Sequence, residues 1–568
     1  MVAWSPTPAK LALLALGAAG LAWGAQTPVI LISIDTLRAD RVGIYGGRGV
    51  PTPGIDGFAD GGTLFASAEA QVPLTLPSHT SLLTSNYPFQ SGVEVNAEHV
   101  PASLETLAGV LHAHGYRTAA FIGSVFLERQ LGLDRGFDEY DSPFSFEAFS
   151  PLSGEIFFVG TRRNLLAIRD RRDGNIVVHA AESWLASRRG QPVFAFVHLF
   201  DLHTPYNTPP GFQRPPGSSG YDAQLAYVDR TIASFRQALV RAGWWDRSLV
   251  ILVSDHGEGL GEHSEETHGY FAYESTLHVP LIVHWPSGAH PLPARDERPA
   301  GLIDVAPTIL DFLGMRAPAQ FAGLSLLGHA PRPVYSETFY LNNAFGWSPL
   351  RALRNGALKY IDAPHPELYD LQRDPRELHN VIAARPADAQ SLRAEMSRLL
   401  ARYPILARDS SASSESPRTA GVLRSLGYLS RGPRSSAAAG TLPDPKDRLS
   451  ELHLYEDADA ATNRGDLTRA MGLLNRILAS DLRNTLARRD LGVLYVERNR
   501  PADARACLER VVAVAPDDYV SQYELALAYE KLGQRKTALG HMRIACALAP
   551  HAERCQAELR RLAGGAGN

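Results

Sequence analysis

Cysteine is scarce in this chain of 568 residues: only Cys507, Cys546 and Cys555 are present, all toward the C-terminal end. The long stretch before them has neither a disulfide framework nor thiol chemistry to offer. A dominant charge is also missing. Lys and Arg number 56 against 60 Asp and Glu, a formal net charge of −4, so there is no electrostatic footprint for nucleic acid and none is expected as a partner. Any charged substrate must be recognised locally. Long apolar runs are equally rare. The run from Leu11 to Gly24, behind Lys10, is shorter than the ~20 residues of a membrane span. With the small residues around Ala25 after it, it fits the apolar core of a secretory signal. Residues 1–25 are therefore expected to be a signal peptide cleaved near Gly24 or Ala25, or an uncleaved N-terminal anchor. The expected location is exported: periplasmic, secreted or membrane-anchored, with membrane contact only in the uncleaved case. No cysteine lies near this segment, which excludes a lipid-modified one. What remains is ordinary globular composition, 45% hydrophobic and 20% charged, in a chain long enough for two or three domains.

Three apolar, β-branched or aromatic runs end in acids and histidines. Val29 to Ile34 delivers Asp35, followed by Thr36-Leu37-Arg38-Ala39-Asp40. Val193 to Phe200 delivers Asp201-Leu202-His203-Thr204-Pro205-Tyr206, and Leu249 to Ser254 delivers Asp255-His256-Gly257-Glu258. Such runs read as buried strands. In open α/β sheets, ligands bind at the carboxyl ends of strands, where rigid elements hold converging loops. A fourth segment, Leu74-Thr75-Leu76-Pro77-Ser78-His79, precedes the apolar-periodic Leu82-Leu83 and predicts a helix start with Pro in its first turn. The unpaired N–H groups and dipole of that helix would favour an anion beside Thr75.

Together with Gly261-Glu262-His263, Glu367-Leu368-Tyr369-Asp370-Leu371 and Asp374-Pro375, these motifs occur in an order that resembles the sulfatase-like branch of the alkaline phosphatase superfamily. The resemblance covers residues 27–405. It implies an α/β fold, a mixed sheet sandwiched by helices, closed by a small antiparallel subdomain over 335–381. It matches Asp35, Thr75, Asp255 and His256 to the family's metal ligands and nucleophile. Three oxygens and one nitrogen suit one or more divalent ions, with Zn, Mn, Mg and Ca all open. Thr75 stands where a formylglycine sulfatase carries Cys or Ser. Oxidation of its secondary alcohol gives a ketone and not an aldehyde, so that route is closed. His79 stands where the same motif has Arg, and is a candidate substrate contact with Asn96 and Arg38, with a turn-forming role for Asn96 and a pairing of Arg38 with Asp40 as the alternatives. His203 and His268 are the candidate acids for a leaving alcohol. Superfamily members with an unmodified Thr work on phosphorus, so a phosphate ester, hydrolysed or transferred through Thr75, is the first expectation. A sulfate ester attacked by unmodified Thr75 is the second, and a catalytically weak shell used for binding is the third. The substrate is expected to be a small-molecule, glycan or lipid ester. Its identity would reside in the loops 140–163 and 206–221, which carry no readable motif.

Lys359 and Arg351 lie on short alternating strands around an Asn355-Gly356 turn, and edge-strand solubility is their expected role. Glu262 and His263 are expected to serve only loop architecture. Residues 406–449 turn Ser-, Ala- and Pro-rich and read as a linker, within which 422–429 is apolar enough for a short docked helix. Beyond it, Ala470, Ala504 and Ala538 recur at a fixed period, as do Ala458, Gly492 and Ala526, and Leu474, Leu508 and Met542. That period resembles tetratricopeptide repeats, about three of them over 450–565, forming an all-α domain. Such repeats imply either a protein or peptide partner or packing on the catalytic domain.

Overall fold

The computed structural model describes residues 26–96, 98–144, 171–328, 331–406, 442–548 and 553–564. Residues 1–25, most of the expected linker with its 422–429 segment, and most of the 140–163 loop lie outside the described residues. Among the described residues, no helix is long and apolar enough to cross a membrane.

The main sheet has eight strands: β1 (Val29–Ile34), β2 (Gly62–Glu69), β3 (Arg117–Phe121), β4 (Glu139–Asp141), β5 (Val193–Leu199), β6 (Leu249–Val253), β7 (His278–His284) and β8 (Arg295–Gly301), in the order β4-β3-β5-β1-β6-β7-β2-β8. Seven run the same way and β7 opposes its neighbours β6 and β2. β1 sits at the centre between β5 and β6, and all six of its residues are buried. Its alternation divides two cores. Val29 and Leu31 face one side with Phe194, Phe196, Leu249 and Ile251; Ile30, Ile32 and Ile34 face the other with Val197, Val250 and Leu252. Each such side chain contributes about 1.5–3 kcal/mol on burial.

Helices cover both faces. On the first lie α1 (Thr75–Thr84) and α4 (Val305–Phe312); on the second lie α2 (Gly174–Ala186) and α3 (Gly220–Arg241). The sequence-based sandwich is therefore the observed one. The small antiparallel sheet is also present, as β9 (Val334–Thr338), β10 (Leu350–Asn355), β11 (Leu358–Asp362) and β12 (Glu367–Asp370), ordered β12-β11-β10-β9 and backed by α5 (Pro386–Arg402). It corrects one expectation. β11 is an interior strand, so Lys359 is fully buried and ion-paired instead of solubilising an edge.

The C-terminal region is a stack of helix pairs: α6 (Leu449–Asn463) with α7 (Leu467–Ser480), α8 (Thr485–Glu497) with α9 (Pro501–Val514), and α10 (Tyr519–Lys531) with α11 (Arg535–Leu548), followed by α12 (Glu553–Gly564). The period-matched Ala470, Ala504 and Ala538 are fully buried. At Gly492 an added Cβ would lie 2.7 Å from the Leu508 side chain, so the absence of a side chain there is what lets α8 and α9 meet. Cys546 and Cys555 form a disulfide between α11 and α12.

Candidate active site

Because β5, β1 and β6 are parallel neighbours, their carboxyl ends bring the three acid-bearing turns to one place. The Asp35 N–H donates to the Leu199 carbonyl at 2.9 Å, which extends β1 pairing by one residue and fixes the carboxylate at the sheet's rim. Asp35, Asp255 and His256 are fully buried, and one ligand atom from each lies within 4.8 Å of the others. Thr75, the first residue of α1, is fully buried as well.

The hydrogen-bond inventory separates atoms with partners from those without. Asp255 Oδ1 accepts from the His256 N–H at 2.9 Å and the Thr36 N–H at 3.3 Å, which turns Oδ2 toward the cluster. The His256 Nδ1–H donates to the Gly257 carbonyl at 2.9 Å, leaving the Nε2 lone pair for the interior. Both Asp35 oxygens, Asp255 Oδ2, His256 Nε2 and Thr75 Oγ1 are buried without a hydrogen-bond partner. Leaving so many acceptors unsatisfied in one place is costly. Burial pushes both carboxyls well above the ordinary carboxylate range. Two acids, one lone pair and one hydroxyl, all orphaned and convergent, fit a divalent cation. A cap role for Thr75 does not fit, since its hydroxyl caps nothing and the residue preceding the helix is Leu74.

The surroundings hold this geometry under strain. Thr36 adopts φ 56°, a left-handed conformation unfavourable for a β-branched residue. It is held there by the Tyr221 hydroxyl donating to its carbonyl at 2.8 Å, with the Leu37 N–H bound to Ser254 Oγ at 2.9 Å. Such strain costs about 1–3 kcal/mol and persists only where the neighbours over-determine it.

Asn96 meets the site through its backbone-capping carbonyl. Its Oδ1 accepts from the Leu76 N–H at 2.8 Å, while its Nδ2 is buried without a partner. This modifies the anion-site expectation for α1. Leu76 N–H is taken by Asn96, Pro77 has no N–H, and Ser78 N–H bonds the Leu74 carbonyl at 3.0 Å. The Asn96 amide and the helix dipole remain to favour an anion.

Two candidate substrate contacts are corrected. Arg38 is 3% exposed and fully committed, to Asp40 at 2.7 Å, Glu262 at 2.9 Å and the Glu258 carbonyl at 2.9 Å. It ties the Asp35 turn to the loop after His256 and has no donor left for a ligand. Glu262 and His263 are loop architecture as expected, since Glu262 receives Arg38 and the His263 ring stacks on Tyr273. His79 lies beneath the cluster, fully buried. Its Nδ1–H donates to the Thr75 carbonyl at 2.7 Å and its Nε2 accepts from Ser33 Oγ at 2.9 Å, so it anchors α1 to β1.

His203 and His268 are brought together, with ring centroids 5.0 Å apart, and His268 is 4.4 Å from the His256 ring. The His203 Nδ1–H donates to the Thr204 carbonyl at 2.6 Å. His268 Nδ1 is 2.8 Å from Glu258 Oε1, and Glu258 Oε2 accepts from the Tyr206 hydroxyl at 3.1 Å. Burial pushes the Glu258 carboxyl up to about 8 and His268 down to about 3. The 2.8 Å contact joins the two groups in one hydrogen bond, the arrangement in which a carboxyl and an imidazole can share a proton.

Sequence reading missed His198 and gave Glu258 and Tyr206 no roles. His198 Nδ1 accepts from the Gly123 N–H at 3.4 Å, so its Nε2–H faces Asp35 Oδ2, also at 3.4 Å. The available signal was a histidine inside an otherwise apolar strand run, adjacent in register to Ser33.

Comparison with known proteins agrees with this architecture. The sulfatase family profile matches residues 27–315, just over half of the chain, a profile described as N-sulphoglucosamine sulphohydrolase, C-terminal, matches 261–403, and a tetratricopeptide repeat profile matches 461–529. The chain belongs to the sulfatase family. An uncharacterized sulfatase, YidJ, of Escherichia coli is 26% identical over 62% of this chain and 82% of its own length. A Delta 4,5-hexuronate-2-O-sulfatase of Bacteroides thetaiotaomicron is 24% identical over 67% of this chain and 89% of its own. The crystal structure of a phosphonate monoester hydrolase of Agrobacterium radiobacter superposes with a TM-score of 0.53 at 22% identity, covering 66% of this chain and 96% of that one. The chain is thus a hydrolase of the sulfatase superfamily with C-terminal tetratricopeptide repeats.

Proposed function

We propose that this hydrolase acts on a phosphate ester, by hydrolysis or by transfer to an acceptor hydroxyl, with Thr75 as nucleophile. The observation that carries the reading is the Thr75 hydroxyl itself. It is buried at the head of α1, makes no hydrogen bond of ordinary geometry, and acts on Asp35, which in turn clusters with Asp255 and His256. Those four residues would hold a divalent cation. When bound, such an ion lowers the pKa of a coordinated hydroxyl and neutralises a transferring oxygen.

Deprotonated Thr75 Oγ attacks phosphorus in line, forming the Oγ–P bond as the bond to the leaving alcohol breaks. The Asn96 Nδ2 amide, buried and unpartnered beside α1, supplies a donor for a phosphoryl oxygen. The proton held by the Glu258–His268 pair passes through His268 Nε2 to the departing alcohol, and the same pair takes a proton back from the incoming water or hydroxyl. His203, stacked on Phe200 at 4.4 Å and donating from Nδ1 to the Thr204 carbonyl, walls this side of the site.

The test is a turnover screen of phosphate monoesters, phosphate diesters and sulfate esters with Zn, Mn, Mg and Ca, run on the protein and on Thr75→Ala. Turnover of a phosphate ester, loss of it in the variant, and a phosphate adduct on Thr75 by mass spectrometry are the expected results. Preferential turnover of sulfate esters, or full activity in Thr75→Ala, overturns the reading. Relatives named for sulfate esters make the first of these outcomes a real contest.

We also propose export, supported by the apolar N-terminal run and by the Cys546–Cys555 disulfide, since disulfides persist mainly in oxidising compartments. N-terminal sequencing of the protein from its native host distinguishes a cleaved from an anchored form.

A further inference from the structure

The repeat region does not hang free of the catalytic unit. Leu452, Tyr455 and Ala458 of α6 share one continuous core with Leu341, Phe345 and Trp347 of the catalytic unit, and the Phe345 and Tyr455 rings meet edge to face at 5.3 Å. The chain just before α6 is fastened too. The Ser348 N–H donates to the Pro443 carbonyl at 2.8 Å, and the His365 N–H donates to Asp444 Oδ2 at 2.9 Å. From this fixed helix Glu456 accepts a hydrogen bond from the Tyr270 hydroxyl at 2.8 Å.

Tyr270 is 3% exposed and lies two residues beyond His268. Its ring stacks on Tyr340 at 5.7 Å, and its N–H donates to the buried Glu265 at 2.6 Å. At Gly269, between His268 and Tyr270, φ is 102° and an added Cβ would stand 2.9 Å from the Tyr340 ring. The segment that presents His268 is therefore clamped at its C-terminal side by three contacts. Two belong to the catalytic unit, and the third comes from the repeats.

We propose that Glu456 is a positioning residue for the reaction: through Tyr270 it fixes the loop that holds His268, so the first repeat helix is a working part of the active site. The inference rests on the role given above to His268. Glu456 touches no reacting atom; it narrows the positions His268 can take, and small misplacements of a proton donor have large rate consequences. The repeats thus act on turnover through a defined contact, whatever else they bind.

The experiment uses the full-length, metal-loaded chain and the ester that the turnover screen identifies. Glu456→Ala and Tyr270→Phe are each expected to lower kcat by about tenfold with KM little changed. The double variant should be no worse than either single one. Glu456→Gln, which keeps an acceptor oxygen, should restore most of the rate. Glu456→Ala should add nothing in a His268→Ala background. Unchanged kcat in Glu456→Ala, additive losses in the double variant, or an equal loss without His268 overturns the proposal. Amide hydrogen exchange over residues 259–271 gives a readout independent of chemistry: faster exchange in Glu456→Ala is expected, and unchanged protection sinks the idea even if no substrate is found. If His268→Ala keeps full activity while exchange responds, the contact positions the loop but the role given to His268 is wrong.

Discussion

Two acid-rich clusters lie inside this chain, about equally shielded from water, and they have opposite inventories. Under the carboxyl ends of β1 and β6, Asp35 and Asp255 face each other with no Lys or Arg side chain bonded to either; both Asp35 oxygens and Asp255 Oδ2 are orphaned, and Asp255 Oδ1 is held by two backbone N–H groups. Between the two sheets, Glu69, Glu274 and Glu377 surround Arg354 and Lys359. Arg354 pairs with Glu69 at 2.9 Å and Glu274 at 3.1 Å; Lys359 pairs with Glu274 at 2.9 Å and Glu377 at 3.0 Å. The second cluster carries its own cations and joins β2, β10 and β11 with the short helix that starts at Glu274. The first has no such side-chain cation bonded to its acids, which is the inventory that suits the divalent ion proposed above. Buried acids alone therefore do not identify a site; what distinguishes one is whether their compensation is covalently part of the chain.

The sharpest way to break the comparison is at Thr75. Thr75→Ala is expected to reduce kcat on the order of 10⁴-fold or more, with folding unaffected, because the hydroxyl makes no hydrogen bond to lose. Initial rates together with a thermal melt check both halves. Lys359→Met should do the reverse. It leaves Glu274 and Glu377 buried beside one another and is expected to cost about 3 to 5 kcal/mol in urea unfolding, while per-molecule kcat in the folded fraction stays close to that of the parent. A rate loss at Lys359 as large as at Thr75 would erase the division between the two clusters.

Metal dependence sharpens the same division with a smaller effect. Chelation should lower the melting temperature. Ion at 100 times its Kd contributes about 2.7 kcal/mol, and metal content by mass spectrometry should fall with it. Asp35→Asn is expected to invert the sign. It removes a buried charge facing Asp255, so the chelated variant should melt above the chelated parent, while with metal present it should melt below. The same inversion is not expected at Glu377, whose partner Lys359 cannot be dialysed away.

Much of the first cluster was legible in the sequence and almost none of the second. Asp35, Asp255 and His256 follow uninterrupted apolar runs, so the strand ends and their chemistry are written locally. Thr75 is readable because it opens a helix with Pro77 in its first turn. His198 was not, because one histidine in an apolar strand resembles any tolerated core position until Asp35 is seen beside it in the paired strand. Arg38 was only half legible: its pairing with Asp40 lies two residues along, whereas its partners Glu258, Gly259 and Glu262 are more than 200 residues away. Lys359 looked like an edge because nothing local reveals that β12 pairs outside β11. The repeats were plain from their period, whereas the Tyr270–Glu456 bond joins two segments that carry no shared pattern.

The most gradual predicted effect concerns pH and belongs wholly to the second cluster. Burial pushes Glu69 up to about 7 and Glu377 up to about 8, whereas Lys359 and Arg354, outweighing burial, hold Glu274 well below the usual carboxylate range. Three carboxyls share two cations, so near neutrality the cluster keeps a proton that the unfolded chain, with glutamates near ~4.3, would have released. The folded state binds more protons across that window, so stability falls as pH rises. The contribution is whole below the unfolded value and is lost through about pH 7 to 8. Glu274 has the opposite sign but acts only in acid, below the unfolded value, and does not cancel the slope. Urea midpoints between pH 6 and pH 9 should decline, by up to about 1.4 kcal/mol per unit for each proton held, and Glu377→Gln should flatten the decline. A flat profile in the parent chain would mean that all three acids stay ionised beside Arg354 and Lys359 and that the cluster holds no extra proton.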